Sequence, residues 1–232
     1  KKRGVEYTNI ITPHDIEVSR SELWNAAEES ENRKDARTAR EWLVALPDEL
    51  TQNQRMELVN QFGRELSNRY GSAIDIAIHS PDKGGDQRNY HAHILMTTRE
   101  VHSVDNRLQF GAKTNLELSN TKREKLGLCK TDDEIKIIRE EWATHTNNAL
   151  ERAGKSERID HRSNAERGIE QEPTIHEGVA ATAMKRRGIE IVPVLYNKSI
   201  KSRNDERKNL KDVVHSYDKE LDTLATERVR IE

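Results

Sequence analysis

One cysteine, Cys129, stands in 232 residues. A lone thiol excludes an intramolecular disulfide and any cysteine-rich metal site, and makes a reducing, cytoplasmic setting the expectation. Aromatic residues are 4% of the chain and hydrophobic ones 33%, less than a uniformly packed globule of this length carries. A modest core with polar helices or a tail around it follows. No apolar run approaches the roughly 20 residues that span a bilayer, and no signal-peptide core is present, so membrane insertion is not expected. A surplus of charge of one sign is missing too: 39 basic against 41 acidic residues leave a net charge of −2. That balance gives no overall support to phosphate binding, which needs a concentrated positive face. The chain opens Lys1-Lys2-Arg3 without an initiator Met and closes inside a helical pattern, so it reads as a piece of something longer.

What is present is ordered along the chain. Ser19-x-x-Glu22 has the form of a capping box opening a short helix through Leu23, Trp24 and Ala27. Residues 41–46 read as a strand that Pro47 stops. Thr51-x-x-Gln54 caps a second helix, with Met56, Val59, Phe62 and Leu66 at helical spacing. Residues 74–79 and 90–97 alternate with period two and read as strands, separated by a loop containing Pro81, Gly84 and Gly85. Residues 101–130 read as a long irregular stretch. Thr131-x-x-Glu134 is expected to cap a third helix ending near Gly154. Residues 188–193 suggest a short extended piece, and 198–232 a highly charged helix. The predicted class is α+β: a central antiparallel sheet with helices on one face, over residues 1–165, followed by a charged helical extension, 166–232.

His91-Ala92-His93 lies within a predicted strand. Period two points both imidazoles to one face, about 7 Å apart at Cα. If residues 74–79 pair antiparallel with 90–97, His79 falls beside His91. Ile74, Ile76 and Ile78 then share a face with Ala92, Ile94 and Met96, and the three histidines share the other. Three of nine histidines on one face of a 15-residue hairpin point to a metal site. Three imidazoles with open positions suit a catalytic divalent ion better than a structural one. Imidazole suits zinc, nickel, copper, cobalt or iron, whereas phosphate chemistry more often uses magnesium or manganese. Glu41 is a candidate to orient one imidazole from behind, and an exposed strand-edge glutamate is the plainer reading of its spacing. Residues 107–130 hold Arg107, Lys113, Lys122, Arg123, Lys125 and Lys130 against Glu117 and Glu124, and residues 198–211 hold six basic residues against two acidic. Each run is either a solvated face or a phosphate-binding one.

Residues 38–50 (Thr-Ala-Arg-Glu-Trp-Leu-Val-Ala-Leu-Pro-Asp-Glu-Leu), Ile78-His79, Tyr90-His-Ala-His-Ile-Leu-Met-Thr97, the run from Glu141 to Gly154 and Ile159-Asp-His-Arg-Ser163 together resemble the MobA/MobL family of plasmid mobilization relaxases. The resemblance covers roughly residues 1–165. It implies an HUH-type endonuclease with a three-histidine metal site on the open face of a sheet, and a tyrosine that attacks a phosphodiester at an origin of transfer. By position, His79, His91 and His93 match the metal ligands and Glu41 an acidic position. The resemblance also implies single-stranded or locally melted DNA as substrate, with accessory mobilization proteins and a type IV secretion coupling protein as partners. Arg107, Lys113, Lys122, Arg123 and Lys125 are the candidate DNA contacts.

The family's nucleophilic tyrosine precedes the segment that is Lys2 to Glu6 here. Tyr7 follows that segment and is an unlikely nucleophile. The nucleophile and a first strand are therefore expected to be missing from the chain. Two further readings stay open: a DNA-binding remnant that does not cleave, and a hydrolase using activated water with Glu41 or Asp75 as base. A replication initiator of the same chemistry is a neighbouring alternative.

Overall fold

The computed structural model describes residues 4–104 and 107–231. The chain divides into two compact units between His161 and Arg162.

The first unit is built on a four-stranded antiparallel sheet of order β1-β3-β4-β2. Its strands are β1 (Val5–Ile11), β2 (Ala39–Leu46), β3 (Ile74–His79) and β4 (Tyr90–Thr97). β3 and β4 occupy the residues that alternation predicts, and they pair in the expected register, Ile74 opposite Met96 and His79 opposite His91. β2 begins two residues earlier than predicted and pairs with β4 from Ala39↔Thr97 to Leu46↔Tyr90. β1 lies in residues to which the alternation pattern assigned no element. It forms an edge of the sheet, bulged between Val5 and Tyr7. Polar Thr8 and Asn9 break the apolar alternation that would have marked it.

One face of the sheet makes the main core. Helix α2 (Gln52–Tyr70) sets Leu58, Val59, Phe62 and Leu66 against Ile74, Ile76, Ile78, Ala92, Ile94 and Met96, all almost fully buried. α2 lies close to the sheet because Gly63 lets it: a Cβ there would meet Ile76 Cδ1 at 3.0 Å and Ile11 Cδ1 at 3.2 Å. The Thr51–Gln54 capping box starts this helix, and Gly71, at φ +62°, ends it. Helix α4 (Thr131–Arg152) adds Ile138, Ala149 and Leu150, and Trp142 meets Phe62 edge to face at 5.0 Å. The expected cap of α4 is different. Lys130 is the cap residue, and Thr131 is the first helical residue, its N–H bonded to Asn120 Oδ1 at 2.9 Å. Glu134 does not reach back to the cap because Arg123 and the Tyr70 hydroxyl hold its carboxylate.

The opposite face is half covered. Helix α1 (Arg20–Glu29), started by the Ser19–Glu22 capping box, buries Ala27 and places Leu23 with Ile10, Ala73 and Val101 in a second, smaller core. Its anchor is Asp75, buried in the sheet. Arg20 grips both carboxylate oxygens at 2.7 Å, and Trp24 Nε1 donates to Oδ2 at 2.9 Å. Against α1 packs a hairpin of β5 (Arg99–Val104) and β6 (Arg107–Lys113). This hairpin and helix α3 (Asn120–Lys125) correct the reading of 101–130 as irregular. The strand signal is weak there because β5 turns only Val101 and β6 only Leu108 and Phe110 toward the small core, too few apolar positions to mark a pattern.

The second unit contains α5 (Gly178–Arg186) and the long α6 (Val192–Ile231). Glu172 draws in Arg203 at 2.6 Å and Arg207 at 2.8 Å, and Asn197 makes both hydrogen bonds to the Ile175 backbone, at 2.8 and 2.9 Å. The extended piece expected at 188–193 is instead a turn running into α6, with Pro193 in the first helical turn, where its missing N–H costs nothing. Among the described residues, no helix is long and apolar enough to cross a membrane.

Candidate metal centre and nucleic-acid interface

At the end of the sheet that α1 leaves uncovered, three imidazoles meet. His79 and His91 are direct cross-strand partners, and His93 stands two residues further along β4 on the same face. Their ring centres are 5.3, 4.9 and 5.5 Å apart. Two of the rings are held from behind. His91 Nδ1–H donates to the Asn89 carbonyl at 2.9 Å, and His93 Nδ1–H to Glu41 Oε1 at 2.6 Å. A carbonyl and a carboxylate only accept, so in each neutral ring the proton sits on Nδ1 and the Nε2 lone pair is left for an electrophile. Glu41 is thus placed against His93. Asn89 was not legible in advance, because a backbone carbonyl leaves no residue-type signature.

The spacing of the ring centres suits a shared divalent ion. A point equidistant from the three ring centres lies about 3 Å from each. A metal–nitrogen bond of about 2.0–2.1 Å plus the half-width of an imidazole calls for roughly 3.2 Å. The nitrogens themselves are not gathered. His79 and His91 stack at 19°, and among the described residues no group of three or more His, Cys, Asp or Glu side chains already surrounds one ion position. Coordination by all three requires the rings to reorient. Leu43, opposite His93 on β2, projects from the same face and is 64% exposed. Along the outer edge of β2 runs a cleft of about 490 Å³, lined among others by Glu41, Trp42, Leu43, Trp142 and His161.

The tyrosines of the first unit do not share the histidines' face of the sheet. Tyr7 is opposite Ile78, on the helix side of the sheet, where its hydroxyl accepts a hydrogen bond from Asn60 Nδ2 at 2.8 Å. Tyr70 is buried and donates to Glu134; burial and that carboxylate raise its pKa well above the ordinary phenol value. Tyr90 lies under the Arg55 guanidinium, 3.7 Å from the ring centre. Tyr196 and Tyr217 belong to the second unit.

Of the basic residues expected to touch DNA, two are engaged within the fold. Arg123 is 1% exposed; its guanidinium donates to the Cys129 carbonyl at 2.7 Å and the Asn115 carbonyl at 2.6 Å, and pairs with Glu134. It is an interior strut, because the carbonyls left open by the turns on either side of α3 need a buried donor. Lys113 is tied to Glu31, the Arg37 carbonyl and Thr98 Oγ1. Lys122 and Lys125 are exposed on α3. The Arg107 side chain lies outside the described residues.

A sequence model of the MobA/MobL family matches residues 1–187. The chain belongs to the MobA/MobL family. Three relatives show the range of the likeness. The mobilization protein MobL of Acidithiobacillus ferridurans is 36% identical over 81% of this chain and 53% of its own length. The probable mobilization protein MobA of Bifidobacterium longum is 33% identical over 79% of the chain and 36% of its own length. Mobilization protein A of Escherichia coli is 33% identical over 73% of the chain and 23% of its own length. The chain spans about half or less of these MobA/MobL relatives.

Proposed function

We propose that this chain is the strand-nicking part of a plasmid mobilization relaxase, acting in the cytoplasm on single-stranded or locally melted DNA at an origin of transfer. The observation that carries this reading is the open-faced histidine trio with two Nδ1 atoms held from behind by Asn89 and Glu41. Family membership and relatives named as mobilization proteins support it. A divalent ion held by His79, His91 and His93, magnesium or manganese by the needs of phosphate chemistry and zinc, nickel or cobalt by donor type, would supply Lewis-acid polarisation of the scissile phosphate. The chain's own residues do the positioning. Glu41 and Asn89 fix the ring orientations, exposed Leu43 offers an apolar rest for an unstacked base, and Lys122 and Lys125 offer charge to the strand's phosphates.

The reaction proposed is transesterification. A tyrosine oxygen forms a bond to phosphorus, the bond from phosphorus to the 3′ oxygen breaks, and that oxygen leaves as a hydroxyl with a proton. A 5′-phosphotyrosine link keeps the bond energy for rejoining. The attacking tyrosine is not Tyr7, Tyr70 or Tyr90, because all three hydroxyls are engaged or face away from the histidines. The same observation favours a second reading of these 232 residues by themselves, as a DNA-binding unit that does not cleave. By the same family reading, the partners are accessory mobilization proteins and a type IV secretion coupling protein.

The test is incubation of residues 1–232 with labelled origin DNA and Mn²⁺, beside a longer version carrying the upstream coding sequence. The expected result is binding by both, and a denaturation-resistant adduct with the longer version only, lost on His91→Ala. An adduct on Tyr7 would overturn the assignment of the nucleophile. No adduct with either version would leave the binding-only reading.

A further inference from the structure

At 40 residues α6 is about 60 Å long, and only its first part is packed. Val194 and Ile200 are buried, Asn197 and Asn204 bond to the 172–175 backbone, and Arg203 and Arg207 are held by Glu172. Beyond that the helix carries Leu210, Val214, Tyr217, Leu221 and Leu224, exposed by 65, 58, 62, 63 and 56%. Scattered surface leucines need no explanation. These are not scattered: the steps between them are four, three, four and three residues, the spacing of a coiled-coil seam.

We propose that α6 pairs with α6 of a second copy of this chain as a parallel, in-register two-stranded coiled coil seamed by these five residues. The steps fix the heptad. Val214 and Leu221 take the a positions, and Leu210, Tyr217 and Leu224 the d positions. Val214 at a, with Leu210 and Leu224 at d, follows the β-branched-a, leucine-d pattern that favours two parallel strands, while Leu221 and Tyr217 fill the other a and d positions. One heptad upstream the seam positions are Arg203 and Arg207, both already engaged by Glu172, so the seam begins at Leu210.

The occupant is argued from the helix itself. In a parallel pair, each seam residue meets its own copy, and Glu206 at a g position reaches Lys211 at the following e position of the other helix, twice by symmetry, in exchange for the exposed 3.4 Å pairing of Lys211 with Glu170. An antiparallel alignment centred between Val214 and Tyr217 would instead set Leu224 opposite Arg207. Closing the seam removes on the order of 1,000 Å² from water over both helices, the threshold for a specific interface. The dimer is therefore a modest one, with Kd on the order of 10 μM. This pairing does not depend on the DNA reading.

Sedimentation velocity of the whole chain from about 1 to 200 μM tests it. The mass should rise from 26.8 kDa toward twice that value across this range. The variant Val214→Glu/Leu221→Glu should stay monomeric throughout. An outer-face variant of equal charge load, Ser216→Glu/Thr223→Glu, should dimerise like the parent. Tyr217→Cys on a Cys129→Ser background should cross-link rapidly under mild oxidation, since a parallel in-register seam apposes that position to itself. A parent monomeric at 200 μM would overturn the proposal. So would a seam variant that still dimerises, an outer-face variant that does not, or a Tyr217→Cys chain that resists cross-linking.

Discussion

The two faces of the four-stranded sheet are made by the same residues taken alternately, and they serve opposite ends. On one, Ile74, Ile76, Ile78, Ala92, Ile94 and Met96 are nearly or fully buried beneath α2 and α4. On the other, Asp75 is anchored to α1, and the far end is left to three imidazoles, Glu41 and Leu43. The dry face can be read as stability, since each buried apolar side chain contributes roughly 1.5–3 kcal/mol by leaving water. The wet face gains little by burial. Its groups are held by hydrogen bonds that set direction, which is what chemistry at a phosphate needs. The lesson is a division of labour within single strands: changes on one face should move stability, and changes at the open end of the other should move binding.

The largest expected departure from that comparison comes from the dry side. Ile76→Ala should cost about 2–5 kcal/mol of folding stability, read by denaturant titration, because a fully buried side chain leaves a cavity. A cost under 1 kcal/mol would mean the core is looser than its burial indicates. Next, His91→Ala on the wet side should lower Mn²⁺ affinity by about 100-fold or more in calorimetric titration, with stability changed by less than about 1 kcal/mol. Equal loss of both quantities would erase the distinction between the faces. Glu41→Gln should weaken metal binding by about 10–100-fold, because an amide orients the His93 ring less firmly than a carboxylate. Unchanged affinity would make the Glu41 contact incidental.

The smallest effect concerns pH, at the margin where α1 meets the β5–β6 hairpin. Burial alone would raise the pKa of Glu31, but hydrogen bonds from Arg99 and Lys113 outweigh it and hold the group below the ordinary 4.5. The folded state thus binds fewer protons there than the unfolded one. Its contribution is present above about pH 4.5 and is lost as pH falls through the lowered folded value. Glu31→Gln should flatten that part of the acid limb in a stability-versus-pH series and leave the neutral region with a constant offset. An acid limb of unchanged steepness would assign the loss to other carboxylates.

Where a physical signal is strong and local, the sequence was legible. Alternation in 74–79 and 90–97 placed both strands, the short connection between them set the register, and Ser19–Glu22 and Thr51–Gln54 started the helices they announce. What escaped reading depends on distant partners. β1 exists because β3 offers an edge, β5 and β6 because α1 covers them, and the cap of α4 moved because Arg123 and Tyr70 claim Glu134. The basic run of 107–130 misled for a related reason. Composition counts charges but does not show that Arg123 turns inward and Lys113 is tied to Glu31. The trio itself was readable; the Asn89 carbonyl behind it was not.

The strict two-residue alternation along β3 and β4 has an evolutionary side. Sliding the pairing by one residue would turn every isoleucine to water and every histidine into the packed interior at once. Nothing can drift halfway. Selection that merely keeps the protein folded also keeps the imidazoles aligned, so a lineage that stopped using the trio would lose its residue identities by substitution long before it lost their geometry. A descendant with one histidine replaced would still present the other two in place, one reversion away from a working set.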